Sequence, residues 1–272
     1  METEENNQYF MEYNTRNIHK NKLHFDDTTN DNTPVYRVYA MEYFIQLFEK
    51  RENTLVKPKA WDDPWENFLL KQVFHGHPTN LPVYMDGISD KYYGQCWTFK
   101  ENEDDALWRI YSPICSKCKY KTNGVRIKTK FGKLWNSFVK MTDKGAMLSY
   151  FIGKVQYLPE HEIRDFFENQ FHGSEISVDQ SGKIVVETLL IKRKEFEHEK
   201  ELRLIYRTDN AANPLYKYEI DPNDFIEEVL FDPRTDDSLC QSMEQRLRTE
   251  FNFTGKISKS NLYHIPNLQI TW

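Results

Sequence analysis

No window of the chain approaches the roughly 18 consecutive apolar residues of a membrane helix, so neither a membrane span nor a membrane partner is expected. The N-terminus, METEENNQYF, has neither the features of a secretory signal nor the basic character of a transit peptide, which sets a cytoplasmic expectation. Cysteine is scarce. Cys96, Cys115, Cys118 and Cys240 do not make a disulfide framework in 272 residues. Cys115 and Cys118 form a CxxC, but no second CxxC or paired HxxxH completes a zinc set, and the surrounding basic loop lacks the strand-to-helix context of a redox pair. They are expected as free thiols.

Nucleotide and hydrolase signatures are missing as well. No GxGxxG follows a strand and no GxxxxGK[ST] occurs, which removes the usual phosphate-cradling loops. There is no HExxH, and His75 with His77 is a lone HxH that needs remote carboxylates to hold a metal. A serine elbow of the GxSxG type is absent. Acid is missing from one long stretch: Ser112 to Met141 contains no Asp or Glu but eight Lys or Arg. The net charge of -6 speaks against a general nucleic-acid coat. The segment from Lys117 to Lys140 is nevertheless read as either a solvated face or a local anion site for an RNA or protein acceptor.

What is present is aromatic and mixed in pattern. Aromatic residues are 15% of the chain, enough for a bulky core, while 29% charged residues and a mean hydropathy of -0.76 mark a polar surface. Residues 1–33 read as a polar extension, a mobile arm or loosely docked helix, and 34–272 as one domain. Strands are expected at PVYRVYA, LVKP, GQCWTF, GVRIKT, MLSYFIGKVQY, EFEHEKELRLIYR, YKYEIDP and GKISKSNLY. Helices are expected at MEYFIQLFEK, ENEDDALWRIYS, FGKLWNSFVKM, LPEHEIRDFFENQF and DDSLCQSMEQRLRTEF, with IVVETLLIKRK leaning to helix. Little regular structure is expected between the WDDPW turn and about residue 90. Without regular βαβ alternation, the fold class is α+β, with antiparallel split sheets and flanking helices.

The charged strand is the leading candidate site. In an uninterrupted strand Glu199, Glu201 and Arg203 project from one face, and two carboxylates about 7 Å apart need a cation, a ligand or water to offset their repulsion. Two bland explanations are a solvated edge strand and an internal ion pair through Arg203. In a functional site, one carboxylate stabilises developing positive charge and the other positions a nucleophile. A metal-dependent nuclease built on Asp62, Asp63, Glu66 and the Glu199/Glu201 pair is a third option, and a non-catalytic binding module a fourth.

Four segments in order carry a resemblance: Asp63-Pro64-Trp65-Glu66, the helix Asp105 to Tyr111, the strand Gly124 to Ile127, and Glu199-Lys200-Glu201-Leu202-Arg203. Together they resemble the bacterial family labelled domain of unknown function 2971, over about residues 34–265. The chain departs from that pattern in Trp-Arg-Ile-Tyr-Ser at the end of the helix and in the basic insert PICSKCKYKTN. A looser similarity is to ADP-ribosyltransferase-like folds, with an arginine on the first strand and a glutamate late in the chain. That likeness implies NAD as cofactor and Glu201 or Glu199 as the catalytic carboxylate. It implies Arg37 and Arg203 as cofactor contacts, and Tyr36, Trp108 or Tyr111 as stacking rings. It further implies a toxin or antiphage effector, with an antitoxin or other defence partner.

Overall fold

The structure, a computed structural model, describes residues 2–61, 63, 65–66, 71, 73–76, 81–84, 86–112, 124–170 and 179–267. Along the described residues the strands are β1 (Lys22–Leu23), β2 (Pro34–Tyr39), β3 (Glu52–Val56), β4 (Val73–Gly76), β5 (Leu81–Tyr84), β6 (Tyr92–Thr98) and β7 (Val125–Lys130). They continue as β8 (Tyr150–Lys154), β9 (Gln156–Leu158), β10 (Ile191–Arg193), β11 (Glu201–Arg207), β12 (Leu215–Glu219), β13 (Glu228–Phe231) and β14 (Lys256–Lys259). The helices are α1 (Glu2–Asn17), α2 (Met41–Lys50), α3 (Asp86–Ser89), α4 (Asp105–Tyr111) and α5 (Phe131–Phe138). After them come α6 (Ala146–Ser149), α7 (Glu160–Gln170), α8 (Lys183–Thr188), α9 (Pro222–Phe225) and α10 (Asp237–Thr249). Strand pairing is mostly antiparallel. The chain divides into two compact units: Met1–Asp31 with Asn53–Phe99 and Leu134–Tyr218, and Asn32–Glu52 with Lys100–Lys133 and Glu219–Trp272.

In the first unit the strands run in the order β1-β8-β11-β6. β11 is antiparallel to both neighbours, with Arg203 opposite Cys96 on one side and Gly153 on the other, while β1 joins β8 in parallel. Period-two alternation sends Ile205 and Phe151 to one face, where Val185 and Val186 of α8 pack with Leu189 and Leu190 in one apolar cluster. Aromatic rings gather around Tyr150, with Phe138 at 5.2 Å and Tyr206 at 5.1 Å. The N-terminal segment is tied down by two asparagines. Asn14 donates to the carbonyls of Met141 and Asp143 at 2.8 and 2.9 Å, and Asn21 to those of Met147 and Tyr150 at 3.0 and 2.8 Å.

In the second unit β2, β7, β13 and β14 lie side by side. GVRIKTK behaves as its alternation demands, burying Val125, Ile127 and Thr129 and placing Arg126, Lys128 and Lys130, each half-buried, on the other face. The stripe on α2 is likewise realised: Phe44, Leu47 and Phe48 are buried, and Phe48 meets Phe251 and Phe253. Asp104 caps α4 by accepting from the Ala106 N–H at 2.8 Å. At the other end of that helix Arg234, paired with buried Asp232, donates to the carbonyls of Trp108 and Ser112 at 3.0 and 2.9 Å. The Trp108 carbonyl also accepts from the Ser112 N–H at 3.0 Å, and Ser112 lies just past the last turn, so the arginine that follows β13 closes off the C-terminal end of the helix.

Several sequence expectations change. EFEHEKELRLIYR is not one strand: Lys194–Glu199 is a 3-10 turn and only Glu201–Arg207 is extended. IVVETLLIKRK splits into α8 and β10. MLSYFIGKVQY opens as a short helix and breaks at Val155 between β8 and β9. The stretch before residue 90 contains the β4–β5 hairpin and α3, where little regular structure was expected. Cys115, Cys118, His77 and the whole of the basic insert PICSKCKYKTN lie outside the described residues.

Candidate functional site

The break at Lys200 creates the site. Lys200 adopts a left-handed conformation (φ 46°, ψ 52°), an unusual place for a residue with a Cβ. That single reversal lets the 3-10 turn end at Glu199 and the strand begin at Glu201, with both carboxylates buried. Backbone bonds hold the geometry on both sides. Thr98 Oγ1 donates to the Glu199 carbonyl at 2.5 Å and the Phe99 N–H to that of Lys200 at 3.1 Å. The Glu201 N–H donates to the Tyr157 hydroxyl at 2.8 Å.

The cation that offsets the two acids is Lys192 of β10. Its Nζ donates to Glu201 Oε1 at 2.7 Å and Glu199 Oε2 at 2.9 Å, and stands 3.1 Å from Glu66 Oε1. Arg203 completes the cluster. Its Nε donates to Glu201 Oε2 at 2.9 Å, Nη2 to Glu66 Oε1 at 2.7 Å and Nη1 to the Leu189 carbonyl at 2.8 Å. All five side chains are buried, Arg203 completely at 0% exposure. Glu66 arrives through the DPWE turn, where Asp63 accepts from the Trp65 N–H at its carboxylate (2.9 Å) and from the Glu66 N–H at its carbonyl (3.0 Å). Trp61 lies under the guanidinium, 4.5 Å from the ring centroid. It fits there because strand β6 has glycine at 94, where a Cβ would come within 2.4 Å of the indole. Small neighbours at Cys96 and Gly153 flank the long Arg203 side chain on the same face.

Burial and charge act in opposite senses on the two acids. Desolvation, with a hydrogen bond and repulsion from Glu201, pushes the Glu199 carboxyl up to about 7. Burial would raise Glu201 too, but the Arg203 and Lys192 charges and the bond from Glu199 outweigh it and hold its carboxyl well below the usual range. Lys192 and Arg203 are each penalised by burial and pushed up more strongly by the carboxylates, Glu201 first among them. Burial raises the Tyr157 hydroxyl. Three carboxylates face two fixed cations, so the cluster is neutral when Glu199 carries a proton. Chemically this is one ionised carboxylate beside one poised to exchange a proton near neutrality.

The structure therefore brings together Glu199, Glu201 and Arg203 from the charged segment with Glu66 from a turn more than a hundred residues earlier. Lys192, Trp61 and Tyr157 escaped the sequence reading. The signal for Lys192 was the basic run just ahead of the acids, hidden by treating it as the polar end of a helix. The other candidates belong to the second unit. Tyr36 is buried on β2, with the Arg126 guanidinium 4.6 Å from its ring; burial raises its hydroxyl. Arg37 follows it, half-buried, its guanidinium 4.9 Å from the Tyr39 ring. On α4, Trp108 is buried and donates to Glu103 at 3.1 Å, whereas Tyr111 is exposed. Asp62 lies outside the described residues. Among the described residues no three His, Cys, Asp or Glu side chains could hold a metal ion, and an ammonium stands where three carboxylates converge. No described helix is long and apolar enough to cross a membrane.

No protein-family model matches the chain, so the resemblance to domain of unknown function 2971 is not confirmed, and no curated protein sequence matches either. Among solved structures the chain is similar to Thermus sp. 2.9 DarT in complex with NAD+, at 10% identity and a TM-score of 0.38, covering 87% of this chain and 100% of that one. It is also similar to the same protein in complex with ADP-ribosylated ssDNA, at 10% identity and a TM-score of 0.39, covering 89% and 100%. The complex with carba-NAD+ gives 9% identity and a TM-score of 0.37, covering 87% and 100%. An overlap this loose transfers neither mechanism nor substrate.

Proposed function

We propose that this chain is an ADP-ribosyltransferase-like enzyme that moves ADP-ribose from NAD to a nucleic acid (RNA) or a protein, acting as a toxin or antiphage effector. The observation that supports this reading is the pair of adjacent buried carboxylates, Glu201 and Glu199, that share the Lys192 ammonium at 2.7 and 2.9 Å, with burial pushing Glu199 up to about 7 and the Arg203 and Lys192 charges holding Glu201 low. Cleaving the bond between ribose C1′ and the nicotinamide nitrogen sends the electron pair to that nitrogen and leaves positive charge on the ribose. The ionised Glu201 stabilises that charge. An acceptor oxygen or nitrogen then bonds to C1′ and gives its proton to Glu199, a base matched to neutral pH. NAD is the substrate implied by the resemblance, which also assigns Arg37 to its phosphate or ribose and one of Tyr36, Trp108 or Tyr111 to stacking.

The test is nicotinamide release from NAD in the presence of cellular RNA or protein. Glu199→Gln copies the shape of the protonated acid, so a folded variant with at least a hundredfold slower transfer is expected. Arg37→Ala is expected to raise the KM for NAD. Wild-type release no faster than that of Glu199→Gln and Glu201→Gln sinks the proposal. One observation favours a second reading, a non-catalytic binding module: every donor nitrogen of Arg203 has a protein partner at full burial, as a purely structural ion cluster requires. On that reading Glu201→Gln lowers stability and leaves cellular activity unchanged.

A further inference from the structure

Helix α1 is mounted with its polar side inward. A helix of 16 residues is marginal alone and ordinarily takes its stability from an apolar face packed against the protein. Of residues 7–17, only Asn14 is buried, held by its bonds to the Met141 and Asp143 carbonyls, while Phe10 and Asn17 are half-buried. The tyrosines look the other way, Tyr9 being 64% and Tyr13 50% exposed. At roughly 3.6 residues per turn, positions 9, 13 and 16 follow one another along a single side of the helix. Arg16 is also exposed there, and its nearest printed acid, Glu12, is 4.0 Å away. Two rings one turn apart and a loosely held guanidinium thus line the outer face.

Charge along the same segment says what fits that face. The sequence of α1 opens with Glu2, Glu4 and Glu5 and closes on Arg16, and exposed Lys20 follows in the next turn. A segment polarised in this way repels a parallel copy of itself and attracts an antiparallel one, whose basic end then lies on its acidic end. A nucleic acid does not fit a face that begins with three acids. In an antiparallel pair with Tyr9 of one copy against Tyr13 of the other, the two-fold axis passes near residue 11. Residue 16 of each copy then falls opposite the first two turns of the other helix. Ring stacking and charge pairing are satisfied by one arrangement, and that arrangement is isologous, as a closed dimer requires.

We propose that α1 docks on a second copy of this chain, the two helices lying antiparallel with Tyr9 and Tyr13 of each stacked across the axis and the acidic end of each over the basic end of the other. The dimer stands whether or not the chain cleaves NAD. A helix about 24 Å long covers less than the roughly 800 Å² per partner of a standard interface, so a weak, reversible dimer is expected, with a Kd on the order of 10–100 µM. The experiment is sedimentation velocity of the full chain from about 1 to 300 µM. Wild type is expected to pass from monomer to dimer over that range, and to do so less readily in high salt. The double variant Tyr9→Ser, Tyr13→Ser is expected to dimerise at least about tenfold more weakly with its melting temperature retained, because neither ring belongs to the core. A charge swap tests the orientation. One variant carries Glu2→Lys, Glu4→Lys and Glu5→Lys, and another Arg16→Glu and Lys20→Glu. Each alone is expected to stay monomeric, since like charges then meet at both ends, and an equimolar mixture to dimerise at least as well as wild type. Wild type that stays monomeric throughout, whatever else binds α1, overturns the proposal. So does a dimer that the tyrosine variant or either charge variant leaves intact.

Discussion

Lys192 is the residue on which the buried charges balance. Its ammonium has three carboxylate oxygens within 3.1 Å, and removing it leaves those acids without their shared cation in a dry environment. Lys192→Met is therefore expected to cost about 3–5 kcal/mol, read from urea unfolding. Glu199 gives the opposite sign. Its folded pKa, about 7, lies above the ordinary 4.5, so the folded state holds a proton that the unfolded chain has released. That contribution is complete below about pH 4.5 and is lost as pH rises through 7. Glu201, held low, contributes stability above its ordinary range that is lost on acidification below it. Between pH 5 and 8 the wild type should lose on the order of 2–3 kcal/mol that Glu199→Gln retains. Parallel pH profiles of the two proteins would disprove the assignment. At this scale the sequence was informative in part. The E-x-E-x-R spacing exposed the acids, but nothing in a linear pattern said that Lys192 would turn inward, because a buried lysine looks like any other until its partners are folded around it.

Among elements, the 3-10 turn and the left-handed Lys200 are the feature that pattern reading missed. Period two runs through Glu199, Glu201 and Arg203 whether or not a turn interrupts it, so an alternating pattern is blind to one residue of reversed backbone. A glycine at 200 would have shown the turn. Lys200→Gly removes the Cβ from a left-handed position that costs an L residue roughly 1–2 kcal/mol, at the expense of a more flexible unfolded chain. The expected result is a protein as stable as wild type or about 1 kcal/mol more so in urea; a loss of more than 1 kcal/mol refutes that account of the backbone. The regular elements were legible for a plain reason. β7, α2 and α10 each show an apolar face, and that face is what each buries, whereas α4 buries Trp108 and leaves Tyr111 exposed. Asn21 lacks any such signature, yet it satisfies one buried and one half-buried carbonyl from residues far along the chain. Asn21→Ala should cost about 1–3 kcal/mol by stranding them, checked by thermal unfolding.

For the molecule as a whole, strand order is set by distant contacts. β1 pairs with β8 across residues 22 and 152, β2 with β7 across 34 and 130, and β6 with β11 across 98 and 201. Loops of that length must close before their contacts give any return, so refolding from urea is expected in the range of milliseconds to seconds rather than microseconds, measured by stopped-flow fluorescence. The same non-local wiring explains why α+β content and antiparallel pairing could be expected from composition and pattern, while the assembly of each unit from three separate pieces of chain could not. The proton on Glu199 has a consequence of its own. Any positively charged molecule that comes to rest beside the three carboxylates will expel it into solution. The heat of that encounter, measured by titration calorimetry near neutrality, will then change with the ionisation enthalpy of the buffer.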